Sequence, residues 1–139
     1  MEIIITINIV EDTTRVQGEP IDKKKYSVSP YARWFNETCL GWTNIPENNL
    51  MFLRYQQNHA NDMLKSRGYI FLNDVYDMLG IPRTKAGQVI GWVFDPDNPV
   101  GDNYVDFGLF DTRNEDFVNG YINSVLLDFN VDGNILDQL

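Results

Sequence analysis

One cysteine in 139 residues, Cys39, excludes an internal disulfide and any thiolate zinc cluster. That fits a reducing compartment. Histidine is equally scarce, with His59 alone, so no paired-histidine metal motif exists. The chain has no Gly-x-Ser-x-Gly elbow and no phosphate-cradling glycine loop, and no reaction class is nominated. No run approaches the roughly 18 consecutive apolar residues of a membrane span. The opening Met1 to Val10 is β-branched, with an acid at Glu2. It lacks the basic start and small-residue cleavage site of a signal peptide and reads as a strand.

Positive charge is missing from the second half. Residues 1–68 carry eight acids and eight basic residues, whereas residues 69–139 carry twelve acids against Arg83, Lys85 and Arg113. The whole net charge of −9 therefore lies in residues 69–139. Eleven of those twelve acids are aspartate, a turn former and a poor helix or strand former, which assigns much of this charge to loops. Such a field repels phosphate backbones and disfavours direct nucleic-acid binding. A basic protein surface is a permitted partner. At 43% hydrophobic and 13% aromatic the chain is too apolar for a disordered tail, and its length suits one domain with a real core.

A first strand is predicted over Ile3 to Val10, then a polar connection from Asp12 to Lys25 carrying Lys23-Lys24-Lys25. Residues 1–30 are read as this strand and connection, 31–139 as the core. Tyr31, Trp34 and Phe35, at i, i+3, i+4, predict a short helix after Pro30. Glu47 to Arg67 carries the strongest helical stripe: Leu50, Leu53, Gln57, Ala60 and Leu64, widened by Phe52, Tyr55 and Met63. Pro46 suits its first turn, Lys65 and Arg67 its last, and Gly68 the position beyond.

A short strand at Tyr69 to Phe71 and a second helix through Leu72, Val75, Tyr76 and Leu79 follow. Asn73 is its expected cap and Gly80-Ile81-Pro82 its stop. Strands are predicted at Trp92 to Phe94, Tyr104 to Phe110 and Val125 to Val131, with a loop over Asp95 to Asn103 and a hairpin turn at Asp132-Gly133. Helices in the middle with strands on both sides imply an α+β fold, two to three helices packed on a small, largely antiparallel sheet.

Two acidic stretches are the candidate sites. Asp128, Asn130 and Asp132 hold the first, third and fifth positions of a calcium-loop pattern. Gly133 is sixth, and the Asn134 carbonyl is a further oxygen, with Asp137 in reserve. The twelfth position is Leu139 instead of a bidentate glutamate, and a β run leads in where a helix belongs. The alternation of Leu127, Phe129 and Val131 with Asp128, Asn130 and Asp132 suits a strand with one wet face. A plain hairpin is favoured over a weak calcium site; no other cofactor is implied.

The second stretch, Asp95, Asp97, Asp102, Asp106 and Asp111, has no histidine for acid–base work and reads as a solvated loop or an acidic docking surface. Residues 75–90 have the outline of a helix-turn-helix. Gly87 would lie inside its second helix at about 1 kcal/mol relative to alanine, and only Arg83 and Lys85 could meet phosphates. His59 is expected to face solvent, and Cys39 to be a small buried residue near Trp42.

Several runs resemble a known family: Tyr31-Ala32-Arg33-Trp34-Phe35, Asn49 to Leu53, Ala60-Asn61-Asp62, Arg67 to Tyr76 and Leu79 to Thr84. Gly91-Trp92-Val93, Gly101 to Gly108 and Leu127 to Gly133 continue the likeness. Together they resemble an uncharacterised phage and prophage protein family, domain of unknown function 6353, over residues ~31–139. The resemblance implies a bacteriophage or its lysogenic host as source, and implies no activity or site residues. Members of that family often carry membrane-spanning segments upstream; this chain is then a soluble variant or the soluble portion of something longer.

The function expected is that of a non-enzymatic accessory protein working by protein contact through the acidic second half, in the bacterial cytoplasm or on the virion. It would inhibit a host defence or serve virion assembly. The competing class is a calcium or small-ligand module using Asp128 to Asp132; a DNA-binding helix-turn-helix is third.

Overall fold

The structure, a computed structural model, describes residues 28–139. The strand expected at Ile3 to Val10 and the connection expected at Asp12 to Lys25 lie outside the described residues. The fold is α+β: the described residues form three helices with one two-stranded and one three-stranded antiparallel sheet.

The first described element corrects an expectation. Arg33–Phe35 is a strand, β1, instead of a helix. It pairs antiparallel with Val125–Leu127 (β4), placing Trp34 opposite Leu126. The i, i+3, i+4 spacing is real, but β4 supplies backbone partners that three residues of helix could not supply for themselves.

Helix α1, Pro46–Arg67, follows its sequence signals closely. Proline occupies the first turn, where its missing N–H costs nothing, Glu47 complements the positive end, and Lys65 and Arg67 complement the negative end. Gly68 is left-handed, and its N–H donates to Leu64 O at 2.8 Å. Leu53, Ala60 and Leu64 are fully buried, while Tyr55, expected to widen the stripe, is exposed.

Strand β2 (Tyr69–Phe71) leads directly into α2 (Leu72–Leu79). The cap differs from expectation: Asp74 reaches back so that its carboxylate accepts from Phe71 N at 3.0 Å. Asn73 is buried and faces Thr84 instead. Gly80, at φ 72°, ends α2: its N–H and that of Ile81 donate to Asp77 O and Tyr76 O, satisfying two orphan carbonyls. After it, Ala86–Gln88 is a single 3₁₀ turn. No recognition helix follows α2; Gly87 instead packs so closely on Asn73 and Thr84 that a Cβ would overlap Asn73 Oδ1.

Strand β3 (Ile90–Val93) is buried throughout and pairs with β2 on one side. On its other side it pairs with Gly133–Asn134 (β5), in the register Ile90 to Asn134 and Gly91 to Gly133. This replaces the predicted hairpin. The chain crosses to β3, where Ile135 is fully buried and its N–H donates to Val89 O at 2.9 Å.

Residues 104–110 form no strand, and only Val125–Leu127 of the 125–131 prediction does. The alternation was nonetheless informative: Leu127 and Phe129 are buried and Val131 half-buried, and Val105, Phe107, Leu109 and Val125 also point into the core. Helix α3 (Glu115–Val118), absent from the sequence reading, inserts Phe117 into the core after Asp111 caps the turn at Thr112–Asn114. One contiguous core joins these parts around Trp92, Tyr76, Phe35 and Phe107. Burying each such side chain is worth roughly 1.5–3 kcal/mol. The Tyr76 hydroxyl donates to Tyr31 O at 2.7 Å, and burial pushes its pKa up to about 12.

Candidate functional site

The segment from Phe94 to Tyr104 has two prolines, a glycine and three aspartates, so it cannot sustain a ladder. It is held in shape nonetheless. At its neck, Asp95 N donates to Asn103 Oδ1 at 2.8 Å while Asn103 Nδ2 donates to Asp95 O at 3.3 Å. Asn103 adopts φ 62°, alone among the described non-glycine residues, a conformation asparagine tolerates. The Asp95 carboxylate then accepts from Asp97 N and Asn98 N, turning the chain outward. The result is an Ω-shaped loop with its ends tied together.

The base of this loop rests on the other predicted cluster. A Cβ at Gly101 would overlap the Asp132 carboxylate, so only glycine permits that approach. Asp132 accepts from Val93 N at 2.8 Å and from the Asp102 N–H. Burial raises its pKa, the nearby Asp102 carboxylate raises it further, and the two backbone donors oppose them. Asn130 is spent in every direction: its Oδ1 accepts from Trp92 Nε1 and Asp106 N, and its Nδ2 donates to Asp102 Oδ2 and Tyr104 O. Asp102, Asn130 and Asp132, assigned separately from sequence, thus belong to one network.

Most of the remaining candidates brace backbone. Asp106 Oδ1 accepts from Gly108 N, and Asp128 Oδ1 accepts from Ser29 N. Asn134 Oδ1 accepts from Leu136 N. Asp111 accepts from Arg113 N, and the Arg113 guanidinium 3.0 Å away holds its carboxyl below the usual range. Asp137 lies in the closing 3₁₀ turn. Asp128, Asn130 and Asp132 therefore each already accept an internal hydrogen bond. Among the described residues, no three His, Cys, Asp or Glu side chains are grouped to hold a metal ion.

Exposed on this segment, among others, are Asp97, Asp102, Val100 and Tyr104, the last two 41% and 48% exposed. Asp97 is the aspartate of this loop whose carboxylate makes no hydrogen bond among the described residues. The arrangement can present acid beside apolar surface on a backbone already in one conformation.

Sequence reasoning missed the asparagines that organise the fold. Among the described residues four of them pair a carboxamide with both the N–H and C=O of one distant residue, as a β-bridge would. These are Asn49 with Thr43, Asn61 with Val105, Asn73 with Thr84, and Asn103 with Asp95. The signal available was positional: Asn49 and Asn73 lie on the buried faces of helices, where an unpaired amide would be costly. Of the other residues weighed, His59 is exposed on α1, and Cys39 is buried with its thiol 3.7 Å from Trp34 O and its pKa raised by that burial. Arg83 is paired with Asp77 at 2.6 Å.

A family model described as "Family of unknown function (DUF6353)" matches residues 5–139. The match begins well before residue 31, where the recognisable runs start. No curated protein and no solved structure matches. No helix among the described residues is long and apolar enough to cross a membrane.

Proposed function

The chain belongs to this family of unknown function, DUF6353, and on that premise we propose that it is a phage- or prophage-encoded accessory protein acting by contact with another protein. The Asp95–Asn103 loop is its recognition element and a basic surface its partner. The observation that carries this reading is the loop closed at its neck by Asn103, with Asp97, Val100, Asp102 and Tyr104 exposed on it. A loop ordered before binding loses less entropy on association, and a mixed acidic and apolar tip suits a basic partner better than phosphate. The pairing of Arg83 with Asp77 further reduces what a nucleic acid would find. The phage assignment is supported by the motif runs from Tyr31 to Gly133. The working location is then the bacterial cytoplasm or the virion.

The test uses the full tagged chain in infected or lysogenic cells. Wild type retains its partner, and Asp97→Lys or Tyr104→Ala releases it while the melting temperature stays unchanged. Undiminished capture by both variants overturns the proposal. A captured host nuclease identifies inhibition of defence, and co-purification with particles identifies assembly.

A further inference from the structure

Of fifteen asparagines in the chain, only Asn119 precedes a glycine. In an Asn-Gly pair the second residue has no Cβ to keep its backbone nitrogen away from the preceding carboxamide. Here the pair ends α3, and both residues are exposed. Gly120 is left-handed at φ 84°, with nothing within 4 Å of where a Cβ would stand. Among the described residues the Asn119 carboxamide makes no hydrogen bond, unlike the clamped amides of Asn49, Asn61, Asn73 and Asn103. The comparable acidic pair, Asp132-Gly133, is protected because its carboxylate is occupied by Val93 N.

The backbone restraint is light. Asn119 N donates to Glu115 O, Gly120 N to Phe117 O at 3.1 Å, and Tyr121 N to Asp116 O, all at the exposed end of a four-residue helix. Exposed helix ends open at lower free energies than core elements. Asn119 sits at ψ 1°, so ring closure requires a rotation that this opening supplies.

We propose that Asn119 is a site of spontaneous covalent modification. The Gly120 backbone nitrogen gives its proton to solvent base and attacks Asn119 Cγ. The new C–N bond forms as the bond to the side-chain nitrogen breaks, and ammonia leaves a succinimide. Water then opens the ring at either carbonyl, giving aspartate or isoaspartate, with no change of oxidation state. Either product adds a negative charge at the C-terminal end of α3, the unfavourable end for it.

Isoaspartate also routes the main chain through Cβ, just before Tyr121 N reaches Asp116 O. The strap that follows carries Asn123, whose carbonyl accepts from Trp42 Nε1 at 3.0 Å and Asn49 Nδ2 at 3.1 Å. Lengthening the strap loosens the tie between β4 and the start of α1.

The experiment ages the full folded chain at mildly alkaline pH beside a denatured sample, with peptide mapping by mass spectrometry and an isoaspartate-specific methylation assay. Asn119 converts first, at a rate within about tenfold of the denatured chain's, as expected for a frayed helix end. The aged protein melts lower. Fresh Asn119→Gln melts like wild type and loses neither mass-map integrity at that peptide nor melting temperature on ageing. The proposal fails if Asn119 survives intact in the folded protein while the denatured chain converts fully. It fails equally if another asparagine converts first. An equal decline of Asn119→Gln on ageing removes the link to the strap.

Discussion

Residues 46–93 and residues 94–132 both place side chains in the one core, but satisfy their backbones by different means. In the first region α1, β2, α2 and β3 satisfy most of their own backbone groups and end on capping residues. In the second, Val105, Phe107 and Leu109 alternate inward as a strand would, yet amides of the segment bond to side chains. Val105 N donates to Asn61 Oδ1, Phe107 N to Gln57 Oε1, and Asp106 N to Asn130 Oδ1, while Asp128 N and Asn130 N donate to Phe107 O and Asp106 O. Gln57 and Asn61, one turn apart on α1, act as the edge of a sheet. Side-chain carboxamides can therefore close the backbone account of a segment that never forms a ladder.

If that contrast holds, the two regions break differently. Leu64→Ala empties a fully buried position on α1 and is expected to cost about 2–5 kcal/mol. Urea unfolding should show one transition shifted as a whole. Next, Asn61→Asp leaves a carboxylate oxygen facing Val105 O, the carbonyl its amide served. It should cost about 2–3 kcal/mol, while the same change at exposed Asn58 stays within roughly 0.5 kcal/mol. Equal costs at the two positions would remove the carboxamide argument.

Gly101→Ala is milder, about 1–3 kcal/mol as an overpacked contact, because the loop can lift from Asp132 without disturbing the core. Hydrogen exchange at Asp95 and Val93 amides should rise while exchange in α1 does not change. Uniform acceleration would show that the loop and core are one cooperative unit.

The smallest effects are in pH. Asp132 has a raised pKa, so its protonated form favours folding. Its contribution is fully present below the unfolded value of about 3.9 and is lost as pH rises through the raised folded value. Asp132→Asn should flatten that part of the stability curve. Asp77 runs the other way. Its hydrogen bond from Arg83 lowers its pKa, so its contribution is present above the unfolded value and lost as pH falls through the folded one. Asp77→Asn should remove only a slight acid dependence, since both partners are exposed. Thermal melts across pH 2–7 (a window of roughly two units on each side of the carboxylate range) separate the two signs.

Legibility from sequence divides along the same line. Both long helices were readable because Pro46, Gly68 and Gly80 act within a few residues of where they stand. The alternation of Leu127, Phe129 and Val131 marked an inward face, with the first two buried and Val131 half-buried. It did not reveal what the Val105 amide would bond, since Asn61 and Val105 are 44 residues apart. The helix expected at Tyr31 to Phe35 failed for the same reason, its partner being β4. The candidate site was half visible: the aspartates marked a loop, but Asn103 as its clasp and Asn130 as its support were not distinguishable from other polar residues.

Composition and pattern by themselves determined the α+β class, the glycine-terminated helix ends and the concentration of negative charge in the second half, because each depends on neighbours along the chain. Only the tertiary structure decided that β5 would cross to β3, that two acidic stretches would share one network, and that asparagine amides would replace strand partners. Hydrogen bonding there is a property of which groups meet across long stretches of chain, and a buried amide or carbonyl takes whichever partner the packed core places within reach.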